Sequence, residues 1–295
     1  MNPKEELMKQ RIITGIIVVL IMIPILLFAQ TPVLPIAIAI GSVIAMFEMM
    51  RCIGMHKEYA FAIPLYALAA SLPFLTRFMA LGSLNAVGEH DSAKHLAQYG
   101  AILMIVILFY FFTVAIFSRG KYNLSDVCVL FATAFYILMG FNAIIILHDN
   151  EVGGHVLYLA IFISAWITDV FAYFCGMFFG RGGKHKLIPD VSPKKTVEGS
   201  IGGIVFCILS MIIFGMFCNW LIDYDAKIVM FAVGGFLASI VSQIGDLLMS
   251  YVKRHYGIKD FSQLFPGHGG VLDRFDSILA VSIAMMCLTT FVDFF

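Results

Sequence analysis

Between Gly245 and Ser277 an otherwise oily chain gathers four acids and four bases around a glycine-rich turn. The stretch runs through Asp246, Ser250, Lys253 and Arg254, then Lys259-Asp260. It continues with Pro266-Gly267-His268-Gly269-Gly270-Val271-Leu272-Asp273-Arg274-Phe275-Asp276. Ionisable groups beside a membrane are costly and point to function by default. At helical spacing Asp246, Ser250 and Lys253 fall at i, i+4 and i+7 and share one face. That face offers an anionic metal ligand with a cation one to two turns further on. The glycines let the backbone come close to a ligand. Asp273 and Asp276 would sit at the positively polarised end of a helix that starts near Phe275.

Two further stretches carry the same chemistry. In Ser164-Ala165-Trp166-Ile167-Thr168-Asp169-Val170-Phe171-Ala172-Tyr173, an acid lies well inside an apolar helix. Asp169, Tyr173, Gly176 and Gly180 share a face. Gly176 and Gly180 spell the G-x-x-x-G of a packing seam, which explains the glycines and leaves the acid unexplained. Asp169 is therefore expected to face a polar cavity. Further on, Ser192-Pro193-Lys194-Lys195-Thr196 follows a basic loop, Arg181 to Lys186. Ser then Pro predicts a helix start. Two lysines in that first turn oppose the macrodipole unless an anion sits there; the alternative is an ordinary basic loop.

Four carboxylates (Asp169, Asp246, Asp273, Asp276) with oxygen-only company suit Mg²⁺ rather than zinc. The lysines and arginines suit phosphates. Joining two anionic phosphates at a membrane surface fits this set, because metal ions and cationic clamps neutralise charge as it develops. A phosphate monoester has a second pKa near 6 and needs little help from a base. His268 reads either as a base or as part of a backbone-shaping turn. No zinc-protease, P-loop or dinucleotide motif is present.

The elements that must position these groups are membrane helices. The chain is 61% hydrophobic and 13% charged, against about 25% charged for a soluble domain. Apolar runs of spanning length occur near 11–30, 33–50, 59–79, 99–117, 124–147, 155–179, 200–222, 227–250 and 277–294. The expected fold is all-α and polytopic, with about nine spans in a single membrane domain. Residues 1–147 are expected to be mainly scaffold and 148–295 to carry the motifs. With the N-terminus in the cytoplasm, most basic residues sort to that side; only Arg77, Lys94 and Lys227 fall outside. The C-terminus is then outside. Glu48 is expected to snorkel or to pair with Arg51. A connector with His90, Asp91 and His95 is expected to be solvated. The six scattered cysteines form no C-x-x-C pair and read as small buried hydrophobes.

Ser250-x-x-Lys253-Arg254-x4-Lys259-Asp260 followed by Pro266-Gly267-His268-Gly269-Gly270-x-x-Asp273-Arg274-x-Asp276 resembles the signature of the phosphatidate cytidylyltransferase (CDP-diacylglycerol synthase) family. Ser192 to Thr196 with Glu198-Gly199, and Asp169 with Ala172-Tyr173, are similar to that family's other stretches. The likeness is sharp from Trp166 to Ser277. Val197 departs where the family often has an aromatic residue. The resemblance implies that CTP and phosphatidate become CDP-diacylglycerol and pyrophosphate, a step of phospholipid biosynthesis. It implies Mg²⁺, with K⁺ as a second-metal candidate, on Asp246 and Asp273, supported by Asp276 and Asp169. Lys253, Arg254 and Arg274 join those acids as catalytic candidates. Ser192, Lys194, Lys195, Thr196, Lys259, His268, Gly269 and Gly270 are candidates for substrate and phosphate binding. A homodimer in a bacterial inner (plasma) membrane is expected, its site facing the cytoplasm, with no nucleic-acid partner. The rivals are a CTP-using polyprenol or dolichol kinase, and a transporter or channel.

Overall fold

A computed structural model of the chain describes residues 3–85, 92–150, 153–180, 185–222 and 224–295. His90 and Asp91, and the loop residues Arg181 and Lys184, lie outside them, as does the side chain of His95. Two compact units emerge, one of Met1–Asp149 with Asp260–Arg274, the other of Asn150–Lys259 with Phe275–Phe295. The charged C-terminal stretch is thus shared between them.

The first unit holds α1 (Pro3–Leu27), α2 (Val33–Ile53), α3 (Tyr59–Asn85), α4 (Ser92–Phe117) and α5 (Leu124–His148). Helices are what an apolar chain must form in lipid, where every backbone polar group needs an internal partner. α2 is the core of this unit and packs on α3 and α5, burying Ala45, Met46, Met49 and Met50. It stops at Gly54, whose φ of 85° suits a residue without Cβ. Only 6% of the apolar stretch of α4 is buried, so this helix presents apolar side chains on the outside of its unit. Arg77 is not a loop charge. Its guanidinium pairs with Asp149 Oδ1 at 2.9 Å and donates to the Ala29 and Gln30 carbonyls, tying α3 to the α1–α2 link and to the end of α5. Between α2 and α3, Glu58 accepts from Lys121 and from the Tyr122 hydroxyl. These bonds, Lys121 foremost, hold its carboxyl below the usual range.

The second unit holds α6 (Gly154–Leu157), α7 (Leu159–Phe179), the hairpin β1 (Lys186–Ile188) and β2 (Ser192–Thr196), α8 (Val197–Ile222) and α9 (Ile228–His255). It also takes α10 (Leu272–Phe291) from Phe275 onward. α8 packs closely on α7 and α9. The buried Thr168 hydroxyl donates to Ser239 Oγ at 3.0 Å across α7 and α9, the kind of polar link that joins helices in lipid. At the far end Phe231 packs edge-on against Phe294, with ring centroids 5.2 Å apart.

Among the described residues, eight helices are long and apolar enough to cross a membrane, and Ile13–Leu27 of α1 is a shorter apolar helix. The expected span at 11–30 corresponds to that α1. Three expectations are corrected. Ser192-Pro193 does not start a helix; it opens β2, which pairs antiparallel with β1. Proline's fixed φ suits the edge of a hairpin as well as a first helical turn. The helix begins five residues later, capped by Thr196, whose Oγ1 accepts from Gly199 N at 3.1 Å. α10 starts at Leu272, not near Phe275, so Asp273 lies in its first turn. Glu48 neither snorkels nor pairs with Arg51. It is buried, 2% exposed, and its partners lie more than two hundred residues away.

Candidate active site

The second unit contains a cavity of about 230 Å³. Asp169 and Tyr173 reach it from α7, Lys194 and Lys195 from β2, and Gln243 and Asp246 from α9. Asp169 therefore faces a polar cavity, and the Ser192–Thr196 stretch does bring its lysines to the acids, on a strand instead of a helix turn. Lys195 Nζ lies 2.6 Å from Asp246 Oδ2. The Ser250 hydroxyl donates to Asp246 Oδ1 at 3.4 Å, one turn further along α9. The shared face read from the spacing is thus real.

Behind this pair sits Asp276, 9% exposed, with its Oδ1 accepting from Ser277 N at 2.9 Å. The charges of Asp246, Lys253 and Asp169 all act on it. Lys253 is itself buried, 7% exposed; a buried ammonium persists only beside opposite charge. Ser277 donates through its hydroxyl to Asp169 Oδ2 at 3.2 Å. Three acids and two lysines thus form one electrostatic group within this unit. Arg254 and Lys259 stay exposed, Arg254 donating to the Ile258 carbonyl at 3.0 Å.

Close helix packing holds the cavity wall. A Cβ at Gly199 would overlap the Ala172 carbonyl, and one at Gly176 would come within 2.9 Å of Thr196 Oγ1. The G-x-x-x-G seam and the acid are therefore not rival readings: the glycines bring α8 and the end of β2 against α7, and Asp169 opens into the space beside them. Gly199→Ala is expected to push the helices apart and destabilise the chain by about 1–3 kcal/mol. Thermal unfolding in detergent checks this; an unchanged midpoint would show that the seam can yield.

In the first unit, Phe265 to Gly269 make a tight turn. His268 N donates to the Phe265 carbonyl and Phe265 N to the Gly269 carbonyl, both at 2.8 Å. Gly267 and Gly269 have φ of 77° and 82°, which demand glycine. His268 is half-buried and lies beside Gly15 of α1, so here it belongs to the turn's packing. Asp273 is 7% exposed, and its Oδ2 accepts from Phe261 N at 2.8 Å and Gly270 N at 2.9 Å. Glu48 lies alongside. Its Oε1 accepts from Ser262 Oγ at 2.6 Å and Val271 N at 3.1 Å, and its Oε2 from Leu272 N at 2.8 Å. The close approach expected at Gly269 and Gly270 is made by these acids. A Cβ at Gly269 would sit 2.7 Å from Asp273 Oδ2, and one at Gly270 would overlap the Glu48 carboxylate. Arg274 is exposed. Sequence reasoning missed Glu48; the one available signal was an acid inside an otherwise apolar span.

Among the described residues, no three His, Cys, Asp or Glu converge as a ready-made metal cage. Mg²⁺ does not require one. It keeps several waters and is commonly held by one or two carboxylates together with substrate phosphates. An all-oxygen donor set beside lysines fits that habit.

A model of the cytidylyltransferase family matches residues 9–292. The chain is 34% identical over 276 residues to the phosphatidate cytidylyltransferase of Bacillus subtilis, covering 93% of this chain and 94% of that one. It is 30% identical over 274 residues to the enzyme of the same name from Staphylococcus haemolyticus, covering 93% and 96%. For that of Staphylococcus epidermidis the figures are 31% over 276 residues, with 93% and 96% covered. With nearly its whole length matched, including the cavity and the glycine-rich turn, the chain belongs to the cytidylyltransferase family.

Proposed function

We infer that this chain makes CDP-diacylglycerol from CTP and phosphatidate, releasing pyrophosphate, within phospholipid biosynthesis. The family match and the relatives' shared name support the reaction. The observation that carries the chemistry is the cavity holding Asp169 and Asp246 against Lys194 and Lys195. An oxygen of the lipid phosphate attacks the α-phosphorus of CTP. A new phosphorus–oxygen bond forms, the bond to the β-phosphate oxygen breaks, and pyrophosphate leaves with that electron pair. The lipid phosphate is already ionised near neutral pH and needs little help from a base, which agrees with a cavity wall that carries Lys194 and Lys195.

In this reading Lys194 and Lys195 bind phosphate oxygens, and Lys253, Arg254 and Arg274 draw off negative charge as the leaving group separates. Ser192, Thr196, Lys259, His268, Gly269 and Gly270 shape or line the phosphate path. Asp246 and Asp273 would hold Mg²⁺, with Asp276 and Asp169 in support and K⁺ as a second ion. An ion held by these carboxylates would supply positive charge that offsets the repulsion between the two phosphates. Asp246 also holds Lys195, so one carboxylate orients a phosphate-binding cation as well.

The apolar helices make this an integral membrane protein. The bias of basic residues favours a cytoplasmic N-terminus and a cytoplasmic site. The bacterial relatives favour the inner membrane, and we include a homodimer in the reading.

Purified protein with phosphatidate, Mg²⁺ and CTP labelled at the α-phosphate is expected to place label in lipid and release one pyrophosphate per lipid. Label from the γ-phosphate should stay in the aqueous phase. Lipid labelled only from the γ-phosphate would identify a kinase and overturn the reading.

A further inference from the structure

The buried carboxylate of Glu48 is not used by the reaction as described, yet it interlocks with one that is. Asp273 ties Phe261 N to Gly270 N. Glu48 ties Ser262 Oγ to Val271 N and Leu272 N. The two acids therefore grip the same two arms of the turn at adjacent residues, 261 and 262 on one arm, 270 to 272 on the other. Val271 and Leu272 lead directly into α10, whose first turn carries Asp273. The N–H groups at a helix start lack intrahelical partners. A carboxylate there satisfies them with charge-assisted bonds, which are stronger than neutral ones, and complements the macrodipole. Glycine at 270 is what lets Glu48 approach. An acid within an apolar helix is costly unless fully partnered, and scaffold packing alone could use an apolar residue at this position.

We propose that Glu48 is a positioning residue for cytidylyl transfer: it fixes the start of α10 and the turn before it, and so aims the Asp273 carboxylate. This deepens the proposed function and rests on that reading. A misplacement of about 1 Å at a reacting group costs on the order of 100-fold in rate. Loss of a group that orients a metal-binding carboxylate costs about 10–100-fold.

Glu48→Gln is the test. Its amide turns a donor toward Leu272 N or toward Val271 N, where an acceptor is needed, at almost unchanged volume. The kcat is expected to fall about 10–100-fold, with KM for CTP and phosphatidate held within about threefold. Hydrogen exchange should speed up at Val271 and Leu272 while α2, α3 and α5 stay protected. Wild-type kcat in folded E48Q with those two amides deprotected would overturn the proposal. So would a loss of kcat in step with deprotection across α2, α3 and α5, because that marks a purely structural residue. Should E48Q fail to fold, Ser262→Ala removes one donor and leaves the helices alone. A several-fold fall in kcat is then expected, and an unchanged kcat overturns the proposal. Exchange is read without substrate. A wild-type chain that makes no CDP-diacylglycerol would therefore sink the proposed function while leaving the loop measurement intact.

Discussion

Asp246→Asn should lower cytidylyl transfer by about 10³-fold, roughly 4 kcal/mol in transition-state stabilisation, in a protein that still inserts and folds. Asparagine keeps the shape and can still accept from the Ser250 hydroxyl. What it cannot do is carry charge. Asp246 faces the cavity, pairs with Lys195 at 2.6 Å and acts electrostatically on Asp276. Removing its charge leaves Lys195 without its counter-charge and, in the proposed reading, takes one ligand from Mg²⁺. Both partners are partly solvated, at 22% and 27% exposed, so the stability loss should stay below about 1 kcal/mol. The kcat/KM for CTP, read beside the melting midpoint, separates the two effects. Near-normal turnover would remove Asp246 from the reaction.

Asp273 makes a sharper pair of expectations. Asp273→Asn can offer one oxygen to Phe261 N and Gly270 N, so the turn should persist while turnover falls by about 10³-fold, or roughly 4 kcal/mol. Asp273→Ala leaves two N–H groups without their acceptor, at about 1–3 kcal/mol each, and should be inactive and less stable together. The comparison matters because Asp273 has two duties in this reading, one toward its own backbone and one toward substrate. If both variants lose stability equally and retain activity in proportion to folded protein, Asp273 is a structural acid. If D273N is stable and inactive, the charge itself is required.

Much of the fold was legible because lipid imposes strong rules. Each apolar run of about 20 residues has one way to satisfy its backbone, so spans near 33–50 and 124–147 could be read directly and emerge as α2 and α5. The i, i+4 pair Asp246 and Ser250 was equally legible, since helix geometry alone sets it. Asp169 stood out as an acid in an apolar segment. What could not be read depended on distant partners. Ser192-Pro193 is ambiguous in isolation, and only pairing with Lys186–Ile188 makes it a strand. The true cap, Thr196, was hidden because Ser192-Pro193 just upstream already carries the pattern of a helix start. Glu48 has Arg51 as its obvious local neighbour, whereas its actual donors are 214 to 224 residues away. No periodicity encodes such a contact.

The glycine-rich turn has a consequence for anyone seeking an inhibitor. Glycine content is commonly taken as slack, inviting compounds that wedge a loop open. Here the missing side chains are replaced by two acids that fill the space and bind both arms. Prying the turn apart would strip those acids of several donors, at about 1–3 kcal/mol for each group left unsatisfied. A compound shaped to the turn's existing outline should bind better than one that relies on its yielding.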